Sequence, residues 1–308
     1  NCVSASCTDS DSDDVPDSCD NCPDDPDKIE PGDCGCGVVD TDTDGDGTSD
    51  CIDPCPNWPY ECSGNGDMII VTAANALDRP DALQLAVDSV NNGGTIQIGA
   101  GTSSLSNTIT IGNKPFTMLG AVDEFGAPTT ILDGMNANRV VTCNNVAGSD
   151  TRFENLVITN GDAVEGGGML LRNGSAPHLQ NCRFIANNGE FGGGLHAQIL
   201  CDYTASDCVF IDNTGDYGGG IYNNDCFPIL DGCTLSENQA MIAGGGMYNT
   251  GSDPVLSDTL VCGNTADQID GEYQDLGGNC FSASCTDSDS DEVPDECDNC
   301  PDDPNKTE

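Results

Sequence analysis

The chain has 308 residues with 53 Asp or Glu against 8 Lys or Arg, a formal net charge of −45, 38 Gly, 16 Pro and 20 Cys. That charge repels phosphate backbones and anionic membrane surfaces, which excludes nucleic-acid binding, and no apolar run is long enough for a membrane span. Twenty cysteines imply an oxidising compartment, extracellular or at the cell surface, because so many thiols are safe only when paired.

Residues 1–66 open the chain and form an Asp/Cys-rich module. Together with residues 279–308 they hold 28 of the 53 carboxylates. Asp9, Asp11, Asp13, Asp17 and Asp20 fall at positions 1, 3, 5, 9 and 12 of a loop, the spacing by which an EF-hand-type loop surrounds a hard cation with oxygen. Asp42, Asp44, Asp46, Asp50 and Asp53 repeat it, and Asp287, Asp289, Asp291, Asp295 and Asp298 repeat it again. Val15, Thr48 and Val293 stand at position 7, which supplies a backbone carbonyl. Gly47 provides the sharp turn at position 6, where the other loops have Asp14 and Glu292. A disordered acidic linker would not repeat one ligand spacing three times, and the hard oxygens favour Ca2+ over the zinc or redox chemistry that a CxxC pair suggests. The segments DSDSDDVPDSCDNCP and DTDTDGDGTSDCIDPCP resemble thrombospondin type 3 repeats, over 1–55 and 279–304. The resemblance implies a stiff, calcium-dependent module in which ions and disulfides substitute for an apolar core, without enzymatic activity.

Residues 67–278 form the next segment. MIIVTAANA reads as a strand, and RPDALQLAVDSV has helical spacing with Pro80 at its start. A strand and helix here would cap the open end of a repeat domain. Triple glycines then begin at Gly166, Gly192, Gly218 and Gly244, at an unbroken step of 26 residues. Columns of Asn160, Asn187, Asn213, Asn238 and Asn264, and of Cys182, Cys208 and Cys233, run beside them. Such columns mean stacked rungs of short strands. A parallel β-helix fits, with a buried asparagine ladder and glycines at corners where a Cβ would clash. The stretch 68–278 resembles the pectin-lyase-like right-handed β-helix superfamily. FIANNGEFGGGL and FIDNTGDYGGGI are similar to the repeats of bacterial polymorphic outer-membrane proteins. The expected fold is all-β, a right-handed single-stranded parallel β-helix with irregular disulfide- and calcium-stabilised Asp-rich modules at both ends.

This fold carries lyases, hydrolases, adhesins and passive stalks alike. The basic residues of the β-helix are Arg79, Lys114, Arg139, Arg152, Arg172 and Arg183, with His178 and His196; Arg172 and His196 alone share a strand column, and Asp162, Glu165, Glu190, Asp212 and Asp216 lie at rung turns without a repeated pairing. No acid pair stands opposite a base on adjacent strands, so the chain is expected not to be an enzyme. His196, Tyr222 and Tyr248 form a candidate glycan-binding stripe, the competing expectation being an ordinary stacked surface ladder of the two tyrosines with His196 as an exposed neighbour.

Residues 279–308 repeat residues 1–30, identical at 25 of 30 positions with a period of 278. They read as the start of a second calcium module. Adjacent rungs lie within disulfide range, so Cys201–Cys226 is a natural pair, and two of Cys182, Cys208 and Cys233 can pair. A closure of the last turn by Cys262–Cys280 is also expected. The chain then reads as one window onto a tandem array, continued covalently or by end-to-end self-association. The expected role is an extracellular structural one, a unit of a calcium- and disulfide-stabilised filament or surface stalk. The alternatives are a calcium-stabilised adhesin for surface glycans and a polysaccharide lyase or hydrolase.

Overall fold

The structure is a computed structural model that describes residues 8–59, 62–63, 67–72, 81–145, 150–290, 293–298 and 301. The chain divides into two compact units, 1–68 and 69–308.

Residues 8–59 of the first unit form turns and bends, with neither helix nor strand. The apolar side chains buried there are Cys22, Cys55 and Trp58, far too few to hold a fold by burial alone. Disulfides take over that task, as Cys22–Cys36, Cys34–Cys51 and Cys55–Cys62. Cys22 and Cys55, the second cysteines of CxxC and CxxxC pairs, each bond outside their own pair, and Cys34–Cys51 ties the middle of the module to its second acidic loop.

The second unit is a right-handed single-stranded parallel β-helix. One rung consists of His178–Gln180, Arg183–Ile185, Asn188–Phe191 and Leu195–Gln198. The next consists of Thr204–Ser206, Val209–Ile211, Thr214–Tyr217 and Ile221–Asn224. Each strand pairs in parallel with its equivalent one rung on, as in Leu179↔Ala205, Phe184↔Phe210 and Leu195↔Ile221. The faces therefore grow as three long sheets, of ten, eight and seven strands, and a three-stranded sheet lines one corner. Alternation sends every second side chain inward, so Phe184 and Phe210 stack in the core with ring centroids 4.6 Å apart.

The triple glycines make the corner that separates the three-stranded sheet from the seven-stranded one. Gly192 has φ +69°, and a Cβ on Gly193 would lie 2.4 Å from the carbonyl oxygen of Thr214. Only glycine lets successive rungs approach so closely there.

The ladder beside them is built from Asn187, Asn213, Asn238 and Asn264. The Nδ2 groups of the first three donate to the Oδ1 of the next rung, at 2.9, 2.9 and 3.0 Å, and Asn264 Nδ2 donates to Gln268 Oε1 at 2.7 Å. Asn160, expected in this column, stands outside it. The backbone N–H of Gly161 donates to Asn187 Oδ1 at 2.8 Å, so Gly161 occupies the ladder position. Asn160 turns out, in the left-handed region at φ +50°, with its Nδ2 on Asp133 Oδ1. The step from Asn160 to Asn187 is 27 residues against 26 for the rung, and that one-residue slip moves the side chain out of the core.

Met68–Val71 and the helix Ala82–Ser89 precede the first rungs, the helix burying Ala82, Leu83, Ala86 and Val87. Pro80, expected at the helix start, lies outside the described residues. At the other end, Cys280–Ser282 pairs in parallel with Leu260–Cys262, in the register Leu260↔Cys280 and Cys262↔Ser282. That register corrects the expected Cys262–Cys280 bond. Two residues of offset along the strands plus one strand spacing separate their Cα atoms by roughly 8 Å, beyond disulfide reach. Cys262 instead bonds to Cys285, and Cys280 to Cys297. Cys201 and Cys226 lie side by side as thiols.

Candidate metal loops and an aromatic face

The first two acidic loops are alike hydrogen bond for hydrogen bond. Asp9 accepts the N–H groups of Ser12 at 2.7 Å and Asp14 at 3.2 Å. Asp42 accepts those of Gly45 at 2.7 Å and Gly47 at 3.0 Å. Val15 N–H donates to Asp13, and Thr48 N–H to Asp46, each at 2.7 Å. Asp14 takes φ +75° where Gly47 takes +94°, so an aspartate makes the same turn as the glycine. These bonds fold each chain segment back on itself and turn one carboxylate after another to one point. The oxygens of Asp9, Asp11 and Asp13 lie within 4.8 Å of one another, as do those of Asp42, Asp44 and Asp46.

The carboxylate at position 12 adds its charge to each cluster, Asp20 acting on Asp11 and Asp53 on Asp44. Asp20 Oδ1 accepts the N–H of Cys22, and Asp53 Oδ1 that of Cys55, each at 2.7 Å. The other oxygens, Asp20 Oδ2 and Asp53 Oδ2, are buried without a hydrogen-bond partner, and so are Asp11 Oδ2 and Asp44 Oδ2. Buried carboxylate oxygens rarely go unpaired, and here four do so at matching positions. Desolvation, together with the neighbouring charges of Asp13, Asp20 and Asp9, raises the pKa of Asp11. Desolvation and the carboxylates of Asp46, Asp53 and Asp42 do the same to Asp44. Asp17 and Asp50 differ from the other positions. Both oxygens of each are engaged, by the backbone and hydroxyl of Ser10 and of Thr43, so they brace the loop. In the third loop Asp287 and Asp295 accept equivalent bonds from Ser290 and Ser288. Asp291 lies outside the described residues, while Asp289, Val293 and Asp298 lie within them.

The outward column of the seven-stranded sheet runs Leu170, His196, Tyr222, Tyr248. Tyr222 and Tyr248 stack at 5.4 Å, and His196 meets the edge of Tyr222 at 4.7 Å. His196 is 3 % exposed, which corrects its expected place at the surface. Neither ring nitrogen has a hydrogen-bond partner, and burial, helped by Arg139, lowers its pKa to about 4. The accessible part of the face is wider than expected because Phe191 and Tyr217 from the corner sheet join it. They stack on each other at 5.9 Å and meet Tyr222 and Tyr248 edge-on at 5.4 and 5.1 Å. Their signal was in the sequence, since each immediately precedes a triple glycine.

The polar groups beside this face are spread out. Arg139 spends its guanidinium on the carbonyls of Glu165 and Gly166 and on Thr142. Glu165 accepts from Gln198 at 3.3 Å, and Arg172 pairs across the sheet with Gln198, two positions along the strand from His196.

Comparison with known proteins bears on the fold. Residues 129–266 match the family described as right handed beta helix region. No curated protein matches the sequence. Among solved structures, the chain is similar to the pectate lyase Pel9A, at 13 % identity and a TM-score of 0.44, covering 69 % of this chain and 67 % of that one. It is also similar to a mannuronic acid specific polysaccharide family 6 lyase from human gut microbiota, at 11 % identity and a TM-score of 0.39, covering 70 % and 58 %. The expectation that the chain is not an enzyme does not stand beside these two lyases and is withdrawn. The disulfides fit an extracellular setting, and among the described residues no helix is long and apolar enough to cross a membrane.

Proposed function

We propose that the chain is a repeat unit of an extracellular filament or surface stalk in which calcium modules alternate with β-helices. The observation that carries this reading is the Cys262–Cys285 disulfide, reinforced by the parallel pairing of Cys280–Ser282 on Leu260–Cys262. Residues 279–308 repeat residues 1–30, so the segment that opens a calcium module is also the closing strand of a β-helix. A joint of this kind transmits tension covalently from one domain to the next. The acidic loops act here as thrombospondin type 3-like Ca2+ sites. The unpartnered oxygens of Asp11, Asp20, Asp44 and Asp53 beside the carboxylates of Asp9, Asp13, Asp42 and Asp46 suit a hard cation that takes six to eight oxygens. The carbonyls of Val15 and Thr48 add to the set. Electron microscopy of the native material tests the filament: continuous rods with one β-helix per axial repeat are expected, and isolated particles of single-chain size would end this reading.

A second reading rests on the aromatic face. Phe191, Tyr217, Tyr222 and Tyr248 present stacked and edge-on rings at one corner, the kind of surface on which sugar rings pack. On this reading the stalk also engages polysaccharide. Retention on immobilised neutral and acidic polysaccharides, scored together with release of cleaved product, should fall severalfold in Tyr222→Ala; equal retention by the variant would remove the face from consideration.

A further inference from the structure

Among the described residues, six cysteines of the second unit stand as buried thiols: Cys143, Cys182, Cys201, Cys208, Cys226 and Cys233. Five of them fall into two vertical columns. The first column runs Leu156, Cys182, Cys208, Cys233, Thr259, one residue before the paired positions Val157, Arg183, Val209, Thr234 and Leu260. The second runs Ser175, Cys201, Cys226, Ser252 along the turns that follow the seven-stranded sheet. There the γ atom of each rung receives the backbone N–H of the rung before it: Cys201 N–H donates to Cys226 Sγ at 3.2 Å, and Cys226 N–H to Ser252 Oγ at 3.0 Å. Cysteine thus occupies two adjacent rungs of a column whose flanking rungs hold serine.

Rungs are spaced ~4.8 Å apart, inside the 4.4–6.8 Å that a disulfide spans between Cα atoms, whereas two rungs exceed it. Cys208 stands one rung from Cys182 on one side and one rung from Cys233 on the other. Cys182 and Cys233 are two rungs apart and reach only Cys208.

We propose that these columns are covalent clamps along the β-helix axis, one a Cys201–Cys226 disulfide and the other a single disulfide from Cys208 to either Cys182 or Cys233. The two choices at Cys208 exclude each other, so the protein carries two disulfide isomers and always leaves one thiol in that column. Each bond forms as two S–H groups give up two protons and two electrons to the disulfide of a thiol–disulfide oxidoreductase, which leaves as a dithiol. The bonds close during folding, before the rungs bury the sulfurs. This goes beyond the filament reading, because the clamps act within one β-helix and hold whether or not it is polymerised.

The test is a disulfide map of the full chain produced in an oxidising compartment, denatured in the presence of an alkylating reagent without reduction. Crosslinked peptides should join Cys201 to Cys226, and Cys208 to Cys182 in one population and to Cys233 in another, with Cys143 alkylated. Cys182→Ser should collapse the second column to Cys208–Cys233 alone. Cys208→Ser should leave Cys182 and Cys233 both alkylated while Cys201–Cys226 persists. Quantitative alkylation of all five column cysteines in the wild-type chain would overturn the proposal, and so would a bond from Cys143 to any of them.

Discussion

Asn187, Asn213, Asn238 and Asn264 are nearly dry, at 1, 0, 0 and 8 % exposure, and the price of burying four amides is met by their mutual bonding. Asn213 shows how fully. Its Oδ1 accepts from both the backbone and side-chain nitrogens of Asn187, and its Nδ2 donates to Asn238 Oδ1 and to the carbonyl of Phe184. Removing that side chain orphans several buried groups at once, and each costs about 1–3 kcal/mol. Asn213→Ala should therefore destabilise the second unit by about 3–5 kcal/mol in urea unfolding. Asn160→Gly, which keeps the left-handed backbone and loses a partly exposed bond to Asp133, should cost under about 1 kcal/mol. Equal losses would mean that the ladder is not what holds the rungs. The contrast also marks what the sequence reveals at this scale. The repeated asparagine was legible as a ladder, but membership was not, because Asn160 stands one position before the ladder site that Gly161 fills and so turns outward without changing the letter.

At the scale of strands and loops, legibility depends on whether a feature repeats. The triple glycines, the inward phenylalanines and the spacing of the first two acidic loops recur, and periodicity exposes them. Features that occur once escaped. The register of Cys280–Ser282 on Leu260–Cys262 is set by pairing at the end of the stack, where no further rung repeats the pattern, so the partners of Cys262 and Cys280 could not be read by counting. Burial of His196 escaped for another reason. It points outward from its own sheet, and the side chains that cover it include Phe191 on the neighbouring corner strand and Tyr222 one rung on. Outward on a strand therefore means exposed only when nothing stands beside the strand. The same geometry hid the breadth of the aromatic face, which takes two of its rings from a different sheet.

The acidic loops and the rungs are stabilised by different means, and calcium removal should separate them. In the first unit, the described apolar residues that are buried are few, and like charges converge on two points only a few ångströms across. Without a cation, the carboxylates of Asp9, Asp11, Asp13 and Asp20 repel one another in a partly desolvated loop. The disulfides then hold the chain together without fixing the loops. In the second unit the rungs rest on apolar burial, parallel backbone pairing and the asparagine ladder, none of which involves a carboxylate cluster. Hydrogen exchange before and after chelation should show the difference. The loop-closing amides of Asp17, Asp50 and Asp295, which donate to the carbonyls of Thr8, Thr41 and Thr286, should exchange at least about tenfold faster once calcium is removed. The amides of the rungs, such as Gly194 and Leu195 on Gly219 and Gly220, should not change. Acceleration in the rungs as well would make the metal part of the β-helix fold, and unchanged loop amides would mean that the acidic clusters do not depend on a bound cation.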